Sequence, residues 1–168
     1  MKKFLLIPFA ALLITSFWAF EPANENEAIK EVIEKETTSY LNRDLTAWAT
    51  CFAQDDNTVY IGAMASGPYF VEGWKNLQLD AEAEKQKNPG PFKHKIIRSN
   101  MRISQSEKIA FVTFDQSVSF DGVQGTTESK EIRCMKKMKN KWKIVASSFA
   151  EINDANTSGQ QAPVKQGY

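Results

Sequence analysis

From Lys108 to Ile152 the chain alternates apolar and polar residues, and that period of two constrains its fold more than any other feature. Ala110, Val112, Phe114, Val118 and Phe120 alternate with Thr113, Asp115, Ser117 and Ser119, the signature of a strand with one apolar face. The stretch reads as three long strands joined by two tight connections, ending in Trp142-Lys143-Ile144-Val145. Parity assigns Ala110, Val112, Phe114, Gln116, Val118 and Phe120 to the covered face, with Gln116 its only polar member.

The residues upstream supply the cover. A helix is predicted from about Ala28 to Leu41, with Ile29, Val32, Ile33 and Tyr40 on one stripe and Glu36 in its middle. Asp44 suits the N-cap of a second helix, whose Leu45, Trp48, Ala49 and Phe52 share a face. A short strand, Thr58 to Ile61, a Gly/Pro loop from Gly62 to Pro68, and a third helix from about Val71 to Lys87 follow. Asn88-Pro89-Gly90-Pro91 stops that helix, and Phe92 to Ser104 reads as a further strand. Helices followed by a run of antiparallel strands imply an α+β domain with the helices on one face of a curved sheet.

The 168 residues allow one domain with a single core. The formal net charge is +1, or −1 without Lys2 and Lys3, so the basic footprint of a nucleic-acid binder is missing. Met1-Lys2-Lys3 followed by apolar residues from Phe4 to Phe20 reads as an export signal, residues 1–20. Ala19 suits the −1 position of a cleavage site but Phe17 does not suit −3, so an uncleaved N-terminal anchor is the alternative. Either form places the domain outside the cytoplasm, periplasmic or secreted, and limits membrane contact to that segment. Residues 21–26 form a linker, 27–152 the folded domain, and 153–168 a polar tail without periodicity, expected to be disordered. Cys51 and Cys134 sit among core-type neighbours and read as buried thiols. Together with the single histidine, His94, they make no metal-ligand constellation, and no cofactor motif is present.

This order of elements resembles the NTF2-like superfamily, particularly its SnoaL-like and DUF4440-type branches. The residues that carry the resemblance are Asp44 between the helices, Phe52-Ala53-Gln54-Asp55-Asp56 before the first strand, the loop at Gly62–Gly73, and the closing Trp142-Lys143-Ile144-Val145. The resemblance implies a cystatin-like cone: a curved antiparallel sheet closed by three N-terminal helices around an apolar cavity, often paired into homodimers through the outer sheet face. Such folds host isomerases, dehydratases, hydrolases and non-catalytic binding modules, so fold does not choose the function. The acid–base residues of the superfamily's steroid isomerases are not matched. Ile61 falls where the first-strand aspartate would stand, Glu36 near the helix-1 tyrosine, and Ala146-Ser147-Ser148-Phe149 where SnoaL-like chains carry histidines.

Glu36, Trp48, Tyr60, Trp74, Phe114 and Gln116 are the candidate ligand-binding residues, an apolar lining with a few convergent polar groups. The bland alternative makes the tryptophans core and Gln116 a hydrogen-bonding partner of Glu36 or of backbone. Glu36 is the one candidate catalytic residue, since a carboxylate desolvated among Ile29, Ile33 and Tyr40 can act as general acid or base. Asp115, Glu131 and Arg133 are assigned to the outer face, with Asp115 opposite Arg133 in an ion pair. The basic run from Arg133 to Lys143 reads as a solvated hairpin, the alternative being contact with anionic lipid. The expectation is an exported, non-catalytic, homodimeric domain that binds a small apolar ligand or a partner protein in or around its cone. The alternative is a lyase, isomerase or hydrolase acting on a small hydrophobic molecule with Glu36 as general base.

Overall fold

Asn24 starts the first helix by accepting a hydrogen bond from the backbone N–H of Asn26, and α1 runs from Glu25–Leu41. The computed structural model describes residues 24–64 and 66–152; the expected export signal, residues 1–20, and the expected disordered tail, residues 153–168, lie outside them. Helix α1 therefore begins inside the expected linker. Ile29, Ile33 and Glu36 are buried along one stripe, with half-buried Tyr40 continuing it. Asp44 caps the five-residue α2 (Leu45–Ala49) through the N–H of Ala47, as its position predicts. Trp48 then packs, tilted, between Tyr40 and Phe52, with ring centroids 5.9 and 4.8 Å away.

The expected loop from Gly62 to Pro68 is largely sheet. Strand β1 (Val59–Met64) turns back into β2 (Gly67–Glu72), and α3 (Trp74–Lys87) starts at Trp74 rather than Val71. Gly67 has a positive φ and Pro68 has no N–H to donate, both tolerated because β2 is an edge strand. The remaining strands, β3 (His94–Gln105), β4 (Ile109–Phe120), β5 (Thr127–Met138) and β6 (Lys141–Ile152), form an antiparallel meander. The spatial order is β2-β1-β6-β5-β4-β3. Because the meander brings β6 back beside β1 in the same direction, the sheet is mixed, not wholly antiparallel as expected. It curves without closing on itself.

The β4–β5 register decides which side chains enter the cone. Phe114 lies opposite Glu131, Gln116 opposite Ser129, and Asp115 opposite Lys130. The expected pairing of Asp115 with Arg133 is thus wrong by an odd number of residues, and an odd slip moves every side chain of a strand to the other face. Glu131 and Arg133 are buried inside the cone, 5% and 2% exposed. Asp115 alone stays outside, paired to Lys130 at 2.5 Å and bonded to Asn100. On β6 an extra residue, Val145, sits between the Cys134–Ala146 and Met135–Ile144 pairs. That bulge shifts the inward set from Trp142 and Ile144 to Ser147 and Phe149.

The narrow end of the cone is packed solid. Ala110, Val112, Met135 and Ile144 of the sheet meet Ile29, Ile33 and Phe52 of the helical side. Across this end Glu25 of α1 accepts hydrogen bonds from Lys137 Nζ (2.6 Å) and Trp142 Nε1 (2.7 Å). The basic run is dispersed by the strand geometry. Arg133 points inward, Lys137 is tied to Glu25, Lys143 reaches the carbonyl of Thr50, and the turn at Lys139-Asn140 has positive φ at both residues. Cys51 is buried in the core whereas Cys134 is on the opposite side of the sheet, so the two thiols do not meet.

Candidate functional site

Toward its wide end the cone is hollow, with a cavity of about 370 Å³. Its floor follows from the strand register: neighbouring inward positions put Tyr60 beside Ser147 and Ser147 beside Arg133. The next row toward the mouth carries Gly62, Phe149, Glu131 and Phe114. A side chain at Gly62 would lie 2.5 Å from Cε1 of Phe149, so the glycine is what lets that ring lie across β1. Phe149 and Tyr69 flank Tyr60 edge-on, each with its centroid 5.9 Å from that of Tyr60.

A single guanidinium organises the charges. Arg133 Nη1 donates to Glu131 Oε2 at 2.8 Å and Nη2 to Glu36 Oε2 at 3.3 Å. Ser129 Oγ donates to the other oxygen of Glu131 at 2.6 Å, and Thr37 Oγ1 donates to Glu36 Oε2 at 3.1 Å. The guanidinium carbon also lies 5.6 Å from the centroid of the Phe114 ring. Burial alone would push the Arg133 pKa down, but Glu36 and Glu131 outweigh it and hold the group above its ordinary value. The cluster therefore keeps a permanent cation between two carboxylates. Burial, reinforced by Glu36, raises the Tyr60 pKa, so this phenol remains a neutral hydrogen-bonding group. Burial and then Glu36 push the Cys51 thiol up to about 11, which leaves it a poor nucleophile at neutral pH.

Of the six residues singled out from the sequence, Glu36, Trp48, Tyr60 and Gln116 line this cavity. Trp74 does not: its ring packs 5.5 Å from Trp48 and 5.8 Å from Phe52, which makes it core. Phe114 does not either, because the guanidiniums of Arg98 and Arg133 cover it at 5.7 and 5.6 Å. Ile61, which a loose comparison sets at the position of a catalytic aspartate, faces the outside of the sheet, while Tyr60 and Gly62 point inward. His94 sits on the edge strand β3, its Nδ1 2.5 Å from the carbonyl of Phe92.

Arg133 and Glu131 were hidden by their own strand. On β5 the apolar Ile132 faces out while Glu131 and Arg133 on either side of it face in, the reverse of the usual polarity at these three positions. The signal that would have found them is the register across the 121–126 connection, one residue away from the simplest hairpin. Arg43 was also unflagged. It is 5% exposed, has a positive φ, donates from Nε to the Asn88 carbonyl, and lies 4.6 Å from the Phe92 ring centroid. It ties the α1–α2 corner to the end of α3 beside the cavity.

No protein-family model matches the sequence, and no curated protein matches it. Solved structures do match its shape. A protein of unknown function with a cystatin-like fold from Nostoc punctiforme superposes with a TM-score of 0.65 at 15% identity, covering 80% of this chain and 96% of its own. An NTF2-like protein of unknown function from Pseudomonas putida gives 0.63 at 13% identity, with 84% and 96% covered. A candidate ketosteroid isomerase from Parabacteroides distasonis gives 0.59 at 15% identity, with 75% and 86% covered. At these identities the likeness shows the fold, which is NTF2-like, and leaves the chemistry to the residues of this chain.

Proposed function

We propose that this NTF2-like domain is a binding module that holds a small, largely apolar molecule in its cone without transforming it. The observation that carries the reading is the Glu36–Arg133–Glu131 cluster at the cavity floor. Glu36 Oε2 already accepts from a guanidinium and from Thr37, and Glu131 accepts from Arg133 and Ser129. Three of the four carboxylate oxygens are thereby committed to internal donors, and Glu36 Oε1 alone is left to take a substrate proton, which a general base must reach within hydrogen-bond distance. Around the cluster, Trp48, Tyr60 and Phe149 supply the apolar wall typical of a small-molecule site.

The second reading, an isomerase, lyase or hydrolase using Glu36, is favoured by one fact: Glu36 does reach the cavity, next to the neutral phenol of Tyr60. One experiment separates the two. A panel of small aromatic and alicyclic compounds is screened by thermal shift, and each compound that raises Tm is recovered and examined by mass spectrometry. A ligand at about 100 times its Kd adds about 2.7 kcal/mol of stability. Binding alone predicts a rise in Tm with the compound recovered unchanged from both the parent and Glu36→Gln. Conversion of the compound by the parent protein and not by Glu36→Gln would establish the enzyme instead.

Two further proposals rest on other parts of the chain. Pairing of two copies through the outer sheet face is supported by exposed Phe70, Ile61, Phe111 and Ile132 on that surface. Export rests on the sequence of residues 1–20 alone.

A further inference from the structure

We infer that the cavity selects a cation: a small aromatic or aliphatic amine, protonated at neutral pH, rather than a neutral or anionic molecule. The inference deepens the binding reading above and rests on it. Four carboxylates line the cavity, those of Glu36, Asp80, Glu131 and Glu151, against one guanidinium, that of Arg133. Glu151 has interactions of its own and is not needed for the sign, because three carboxylates still outnumber one cation without it. Arg133 offers an anion little. Both its Nη atoms already hold carboxylates, and its guanidinium carbon lies over the Phe114 ring. Its buried Nε is without an acceptor, but an anion reaching it would sit beside Glu36 and Glu131.

A second observation points the same way. Gln116 is 7% exposed, lines the cavity, and its Oε1 is buried without a donor. An unmet acceptor in the cavity wall calls for an N–H or O–H from whatever occupies the space, which a carboxylate cannot supply. Aromatic rings supply the rest of the recognition: Tyr60 between Tyr69 and Phe149, with Trp48 nearby. Ring faces attract ammonium groups, more strongly when water is excluded. An acceptor without a donor, an excess of negative charge and a wall of rings all suit an R–NH3⁺ head on an apolar body. A volume of about 370 Å³ is ample for an arylalkylamine.

The test uses three probes that share one skeleton: 2-phenylethylammonium, 2-phenylethanol and 3-phenylpropanoate. Each is titrated calorimetrically into the parent protein and into Gln116→Leu at physiological salt, so that remote charges are screened. The ammonium compound is expected to bind about tenfold more tightly than the alcohol, with the carboxylate weakest. In Gln116→Leu the ammonium compound loses about tenfold and the alcohol, whose neutral O–H makes the weaker bond to Oε1, loses less. If the alcohol binds as tightly as the amine, or the carboxylate binds best, selection for a cation is overturned and the cavity still binds ligand. If none of the three binds saturably, the binding reading fails together with the inference. The comparison of probes on the parent protein stands even if the variant does not fold.

Discussion

Arg133 is the residue on which the interior depends. Its guanidinium is all that separates two carboxylates buried to within a few per cent, Glu36 and Glu131. Removing one partner of such a cluster leaves uncompensated charge, and the cost is about 3–5 kcal/mol. Arg133→Met is therefore expected to lower unfolding stability by about that amount in urea titrations. Adding Glu36→Gln and Glu131→Gln to Arg133→Met should restore most of the loss, because apolar or neutral replacements of a whole buried cluster are well tolerated. A cost below about 1 kcal/mol for Arg133→Met alone would contradict the cluster as described. Glu36 could be picked out of the sequence because helical spacing alone sets it in an apolar stripe. Arg133 could not, since its direction depends on a partner strand and a loop, not on its own neighbours.

At the level of elements, the helices and the β4 face follow from local pattern. Asp44 caps α2, and Ala110, Val112, Phe114 and Gln116 face inward as parity requires. The two parts that local pattern misses are β2 and the β4–β5 register. Strand β2 carries Gly67 and Pro68, residues that signal a loop and are accepted here only because the strand is at an edge. The register depends on the length of the 121–126 connection, and an odd slip exchanges the faces of β5. The clamp between α1 and the β5–β6 hairpin yields a pH prediction. Hydrogen bonds from Lys137 and Trp142 hold the Glu25 carboxyl below its usual range. A depressed folded pKa contributes stability that is present above the unfolded pKa and lost as pH falls through the folded one. Glu25→Gln should accordingly lower Tm at pH 7, and the gap to the parent should narrow as acid protonates the carboxyl. An equal gap at both ends of that range would show that the clamp does not depend on the charge of Glu25.

For the molecule as a whole, the sheet has two unlike faces. One register row across the outer face reads Phe70, Ile61, Ser148, Ile132 and Thr113, apolar at three of five positions. If this face pairs two copies, light scattering after chromatography should give the mass of two chains, and Ile61→Lys with Ile132→Lys should return it to one. A single-chain mass for the parent at micromolar concentration would exclude that pairing. The inner face is a container. Its narrow end is filled by core, its floor holds the Glu36–Arg133–Glu131 ion cluster, and its wide end is open volume walled by rings. The most direct measurement is a two-dimensional amide NMR titration with 2-phenylethylammonium and, separately, 2-phenylethanol. Binding in the cone predicts saturable shifts at the Trp48 indole, the Gly62 amide and the Gln116 side-chain amide, with the compound unchanged afterward. Absence of shifts up to millimolar concentration, or shifts confined to outer positions such as Ile61 and Ile132, would contradict it.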